Sequence, residues 1–204
     1  MKRSQILGVI AMLLPAPAMS HDHSEVRQFV IRSQLAQAGE NPVVFAGDSV
    51  TESALLPAQV CGHRVVNAGI GGATASSYLR AMRGIPEFRA AAIIVAIGTN
   101  DAAANDDFSR DYLKLIAALG TYADIVLLAG IPPIESGPIS GAFDPKRAED
   151  IDKEIERIAG DRFIDLRAAM NSGHDTIDGV HLSSKSYSLW MTSILAKLRR
   201  SLRC

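Results

Sequence analysis

Four apolar runs constrain this chain more than any other feature: "VVFA" at 43–46, "RVVNA" at 64–68, "AAIIVAIG" at 91–98 and "ADIVLLAG" at 123–130. Their apolarity is continuous rather than alternating, which suits strands covered on both faces, as in a parallel sheet. A weaker fifth run is "RFIDL" at 162–166. Parallel strands need crossover connections, and the intervening segments read as helices. Residues 74–83 carry Tyr78, Leu79 and Met82 at helical spacing, and 107–119 carry Phe108, Tyr112, Leu115, Ile116 and Leu119. "DPKRAEDIDKEIERIAG" has the full grammar of a surface helix: Asp144 to cap it, Pro145 to start it, a stripe of Ile151, Ile155 and Ile158, and Gly160 to end it. A last helix over about 183–201 would bury Tyr187, Trp190, Met191, Ile194 and Leu198, and "SEVRQFVIRSQLAQAG" predicts a helix ahead of the first strand, ending at Gly39. The expected fold is α/β: a three-layer α/β/α sandwich around a five-stranded parallel sheet of flavodoxin-like order.

Residues 1–20 do not fit that pattern. Lys2 and Arg3, an apolar run from Ile6 to Leu14, and small residues at Ala16, Ala18 and Ser20 have the layout of a cleaved secretory signal. The run is shorter than the roughly 20 residues a membrane span requires. The expectation is an exported bacterial protein, periplasmic or secreted, with no stable membrane anchor and a single catalytic domain over 21–204. Losing Lys2 and Arg3 takes the formal charge from −1 to −3. No basic stripe remains to suggest a nucleic-acid partner, and "LRRSLRC" reads as cations at a helix C-terminus. Oligomeric state leaves no mark on the sequence.

Ligands of an open parallel sheet bind beyond the carboxyl ends of its strands. Five segments fall there or just ahead of the last helix: Gly47-Asp48-Ser49, "NAGIGG" at 67–72, "GTND" at 98–101, "GIPPIESGP" at 130–138 and "DGVHL" at 178–182. They bring a serine, a glycine pair, an asparagine, an aspartate and a histidine to one edge. Serine is a weak nucleophile that needs a base, and neutral histidine is suited to that task. His181 is the candidate base, and Asp178, three residues earlier, can share one face of a turn with it and hold the imidazole's tautomer. The N–H groups of Ser49 and Gly72 and the side-chain amide of Asn100 are candidate donors to a developing oxyanion, with Gly71 the alternative if the register shifts by one. The glycines there would let the backbone approach a substrate oxygen closely.

These four blocks, in this order, resemble the SGNH or GDSL-type serine hydrolases, over about residues 42–195. The resemblance implies Ser49 as nucleophile, Gly72 and Asn100 in the oxyanion hole, and Asp178 and His181 completing a triad, with no metal or cofactor. Val50 departs from the leucine or isoleucine common after the serine, a conservative change. The activity implied is hydrolysis of an acyl ester through an acyl-enzyme. The expected substrate is a small-molecule or carbohydrate ester with a short acyl group, acetyl being the smallest choice, because the chain offers few segments to wall a deep tunnel beyond 130–143. An acyltransferase using the same triad and a non-catalytic glycan-binding domain are the alternatives.

Other readings are plainer. Asp48 is expected to brace the turn through backbone N–H groups, not to serve as the triad acid. His174-Asp175 is a rival pair in a polar loop, expected to be solvated surface. "DAAANDD" at 101–107 lacks the turn glycine of a calcium loop, and Asn105 or Asp106 is expected to cap the next helix. "HDH" at 21–23 could bind copper or nickel at a new N-terminus, but a disordered tail is expected. Cys61 and Cys204 are the only cysteines. In a flavodoxin-like order the helix after the first strand and the last helix run side by side, so both C-terminal ends meet opposite the site, and a Cys61–Cys204 disulfide is expected.

Overall fold

The computed structural model describes residues 22–104, 107–171 and 173–204. The signal-like segment, His21, Asn105 and Asp106 lie outside the described residues.

The strands are β1 (Val43–Gly47), β2 (Gln59–Val60), β3 (His63–Gly69), β4 (Ala92–Ala96), β5 (Val126–Ala129) and β6 (Phe163–Ile164), in the order β2-β3-β1-β4-β5-β6. The pairs β3-β1, β1-β4, β4-β5 and β5-β6 are parallel, which is the expected flavodoxin-like order. The sixth strand corrects the count of five. β2 pairs antiparallel with β3 through Cys61 and Gly62, whose φ angles of 53° and 83° are both positive, the signature of a two-residue hairpin turn. Two residues are too few to show a period, and cysteine is not the usual turn residue there.

Among the described residues seven α-helices cover the sheet: α1 (His23–Ala38), α2 (Ser49–Glu52), α3 (Ala75–Met82), α4 (Phe108–Leu119), α5 (Pro145–Ala159), α6 (Leu166–Met170) and α7 (Ser184–Leu202). Alternate strand residues feed two cores. Val44, Ala46, Ile93, Val95 and Leu128 face α1, α3, α4 and α5 through Ile31, Tyr78, Tyr112, Leu115 and Ile155. Val43, Phe45, Ala92, Ile94 and Leu127 face α2, α6 and α7 through Val50, Met170, Trp190, Ile194 and Leu198. Burial on both faces is why the strand sequences show no alternation.

Helix ends follow their local chemistry. Asp144 accepts the N–H groups of Lys146 and Arg147, with Pro145 opening α5, as expected. Asp107 caps α4, its Oδ1 accepting Arg110 N–H. Asp22 caps α1 and His23 is its first residue, so these two are part of the fold and not of a loose tail. The "RFIDL" strand stops at Ile164 because Asp165 turns to cap α6, accepting from Ala168 N at 2.8 Å. Cys61 and Cys204 form a disulfide, Cα atoms 5.9 Å apart, which ties the end of α7 to the β2–β3 turn. Among the described residues no helix is long and apolar enough to cross a membrane.

Candidate active site

β1 ends in Gly47, and a Cβ there would sit 1.8 Å from Thr51 Oγ1, so only glycine lets α2 fold back this tightly on its own strand. Asp48 caps α2, its Oδ1 accepting Val50 N–H at 3.0 Å, which is the bracing role expected of it. Its carboxyl is fully enclosed, and burial pushes its pKa from 3.8 up to about 6, with the Val50 N–H and nearby His181 pulling the other way without offsetting it. Ser49 follows as the first residue of α2, its surface half-buried.

His181 joins Ser49 to Asp178. Its Nε2 lies 2.9 Å from Ser49 Oγ, and its Nδ1 lies 2.7 Å from Asp178 Oδ2. Asp178 Oδ1 also accepts the N–H groups of Val180 at 3.1 Å and His181 at 2.9 Å, so the i,i+3 spacing closes a tight turn. Burial raises the Asp178 carboxyl, but the His181 N–H, the His181 ring and the Val180 N–H outweigh it and hold the pKa below the usual carboxylate value. An ionised Asp178 accepts the Nδ1 proton, which leaves Nε2 free to accept the Ser49 hydroxyl proton. The rival pair is engaged elsewhere: His174 Nε2 lies 3.5 Å from Glu135, and Asp175 accepts from the hydroxyls of Ser183 and Ser186.

The glycine loop separates the two register choices. Gly71 N–H donates to Glu52 Oε2 at 2.5 Å, so its donor is occupied. Gly72 has φ of 74° and its surface is exposed, and a Cβ there would meet no protein atom within 4 Å. The glycine at 72 is thus required by the left-handed backbone, not by crowding from the protein around it. Asn100 reaches this loop, Nδ2 donating to Ala73 O at 3.1 Å, which engages one of its two amide hydrogens. Asp101 accepts Ala75 N–H at 3.1 Å and anchors the start of α3 behind the loop.

Several supporting residues were not legible as such. Asn67 Nδ2 donates to Thr51 O at 2.9 Å while its Oδ1 accepts Gly69 N–H at 3.0 Å, clamping α2 to β3. Arg27 of α1 donates to Gly69 O at 2.8 Å. The 130–143 segment is bonded to the triad turn: Glu135 N–H donates to Gly179 O at 2.9 Å, Ile139 N–H to Asp178 O at 3.2 Å, and Thr176 Oγ1 to Glu135 Oε2 at 2.8 Å. Asn67 heads the "NAGIGG" motif, which was a usable signal. Arg27 and Glu135 carried none, because their partners are distant in sequence.

This fold, with a serine at a strand end linked through histidine to aspartate, has the arrangement of the α/β serine hydrolases. The chain belongs to the GDSL-like lipase/acylhydrolase family, whose model matches residues 45–189, and it is accordingly an esterase-type hydrolase acting on ester bonds. Solved structures share the fold. A proposed acylhydrolase from Bacteroides fragilis is 20% identical, with 90% of this chain and 100% of that one covered and a TM-score of 0.67. A member of the lipolytic G-D-S-L family from Veillonella parvula is 17% identical, covering 76% and 96%, with a TM-score of 0.63. An acetylxylan esterase from Geobacillus stearothermophilus is 19% identical, covering 79% and 94%, with a TM-score of 0.60. No curated protein matches the chain.

Proposed function

We propose that the protein is an exported serine esterase that removes a short acyl group, acetyl above all, from a carbohydrate or small alcohol. One observation carries the mechanism: His181 stands within hydrogen-bond reach of both Ser49 Oγ and Asp178. Ser49 Oγ attacks the ester carbonyl as His181 Nε2 takes its proton, and Asp178 stabilises the imidazolium that forms. The carbonyl oxygen becomes an oxyanion held by Ser49 N–H, Gly72 N–H and the second amide hydrogen of Asn100. Collapse passes the Nε2 proton to the leaving alkoxide and leaves an acyl-Ser49. Water, deprotonated by the same His181, then releases the acid.

A short acyl group is favoured by the open setting of the triad. The His181 side chain is 31% exposed, and the 130–143 segment is bonded to the Asp178 turn. The fold shared with an acetylxylan esterase points the same way. Export is supported by the composition of residues 1–20 and by the Cys61–Cys204 disulfide, which suits an oxidising compartment. N-terminal sequencing of protein recovered outside the cytoplasm tests that part.

The decisive experiment is a panel of p-nitrophenyl esters of increasing chain length together with acetylated sugars, run on wild type and Ser49→Ala. Activity should be highest on acetyl esters and abolished in Ser49→Ala. A variant as active as wild type would refute Ser49 as nucleophile, and a preference for long acyl chains would refute the substrate class. Adding an acceptor alcohol separates hydrolysis from transfer by its products.

A further inference from the structure

Glu52 takes no part in the steps above, yet it is bonded to the loop that supplies the Gly72 donor. It is the last residue of α2, one turn beyond Ser49 at the start of the same helix. Its Oε2 accepts Gly71 N–H at 2.5 Å and lies 3.0 Å from His23 Nε2, while its Oε1 lies 3.6 Å from Arg27 Nε. The Arg27 guanidinium also donates to Gly69 O at 2.8 Å and Asn67 O at 3.3 Å, and its side chain is only 14% exposed. A short closed circuit results: Ser49, one turn of helix, the Glu52 carboxylate, Gly71 and then Gly72. It sets the separation between the serine and the loop donor without relying on the long path through β3.

We propose that Glu52 is a positioning residue for the oxyanion loop. It holds the Gly71 N–H so that the next one, on Gly72, is left to the substrate oxygen, and Arg27 is the counter-ion that keeps the carboxylate in place. The charge balance supports the pairing. A bare carboxylate beside a developing oxyanion would repel it, and the Arg27 guanidinium beside Glu52 compensates that charge. Sequence spacing also favours it, since Glu52 can reach the loop only because α2 is a single turn and β3 runs parallel to β1. This inference rests on the serine-esterase reading.

The test compares Glu52→Ala and Glu52→Gln with wild type on p-nitrophenyl acetate, alongside inhibition by methylboronic acid. That acid bonds Ser49 Oγ and presents a tetrahedral oxygen to the donors. Misplacing one oxyanion donor should cost less than the roughly 100- to 1,000-fold of deleting one, so kcat of Glu52→Ala should fall about 10- to 100-fold with KM within about twofold. Its methylboronic acid Ki should rise in parallel. Glutamine keeps an acceptor for Gly71 N–H and should restore most of the loss. A kcat of Glu52→Ala within about twofold of wild type, a fall in kcat without a rise in Ki, or no rescue by glutamine would each overturn the proposal. If Glu52→Ala does not fold, the wild type decides by NMR: the Gly71 amide proton must titrate together with the Glu52 carboxyl carbon, and an independent response overturns the contact. The underlying esterase reading is judged separately, by whether Ser49→Ala abolishes hydrolysis.

Discussion

Replacing Asp178 with asparagine removes one charge and changes almost no volume, so its effect isolates the proton arrangement at His181. The side chain must place one oxygen and one NH2 where two carboxylate oxygens now stand. The Oδ1 position accepts two N–H groups, from Val180 and His181, and the Oδ2 position accepts from His181 Nδ1. Putting the NH2 at Oδ1 would leave both backbone donors facing another donor, at about 1–3 kcal/mol each, or about 2–6 kcal/mol together. Asparagine therefore settles with its oxygen at Oδ1 and its NH2 toward Nδ1. Nδ1 must then become the acceptor, Nε2 carries the proton, and the base that should receive the Ser49 proton is blocked. At 1.36 kcal/mol per decade, that orientation preference alone leaves about one molecule in 30 to about one in 25,000 with the productive tautomer. Those molecules also lack the charge that stabilises the imidazolium, so kcat should fall about 10³- to 10⁴-fold, with KM little changed. The assay is steady-state hydrolysis of p-nitrophenyl acetate by protein whose thermal midpoint matches wild type. An Asp178→Asn enzyme that keeps more than about a tenth of the wild-type kcat would refute the argument.

Three further predictions concern the supporting frame. Asp48 holds its proton in the fold up to about pH 6 but only to 3.8 when unfolded, so the stability that this one carboxyl contributes should be lost as pH rises through that window. Relative to wild type, Asp48→Asn should gain about 3 kcal/mol between pH 3.5 and 7 by chemical denaturation, whereas a difference constant with pH would show the carboxyl is not held protonated. Closing a loop between residues 143 apart places the Cys61–Cys204 disulfide at about 5 kcal/mol in the chain-entropy model, so Cys61→Ser should destabilise by up to that amount. Trp190 is the only tryptophan and is fully buried, so its fluorescence reports the unfolding; a loss under about 1 kcal/mol would mean the bridge constrains little. Asn67→Ala should cost about 2–3 kcal/mol by stranding Gly69 N–H and freeing the end of α2, and a near-neutral change would show the clamp is dispensable.

Most of the architecture was legible because its cause is local. A strand covered on both faces must be apolar throughout, and Asp144, Pro145 and Gly160 mark the ends of α5 by their own backbone chemistry. Two short elements were not legible: β2 is two residues long, and α6 hides behind a capping aspartate in an apparent strand. The candidate triad was legible for a different reason. Its serine block sits at a strand end and its Asp178–His181 block just ahead of α7, and a parallel sheet gathers strand ends at one edge whatever lies between them.

Sequence alone thus determined the layers, the edge at which chemistry collects, and the residue types brought there. Only the tertiary structure decided which histidine meets Ser49, across 132 residues, and left His174 facing Glu135. It also decided that Gly71 donates its N–H to Glu52 while Gly72 lies exposed with a left-handed backbone, two neighbours of the same type in the same motif. Periodicity and capping depend on a residue's near neighbours and are written in order along the chain. Hydrogen-bond partnership depends on which segments the fold brings within about 3 Å, and no local pattern encodes that.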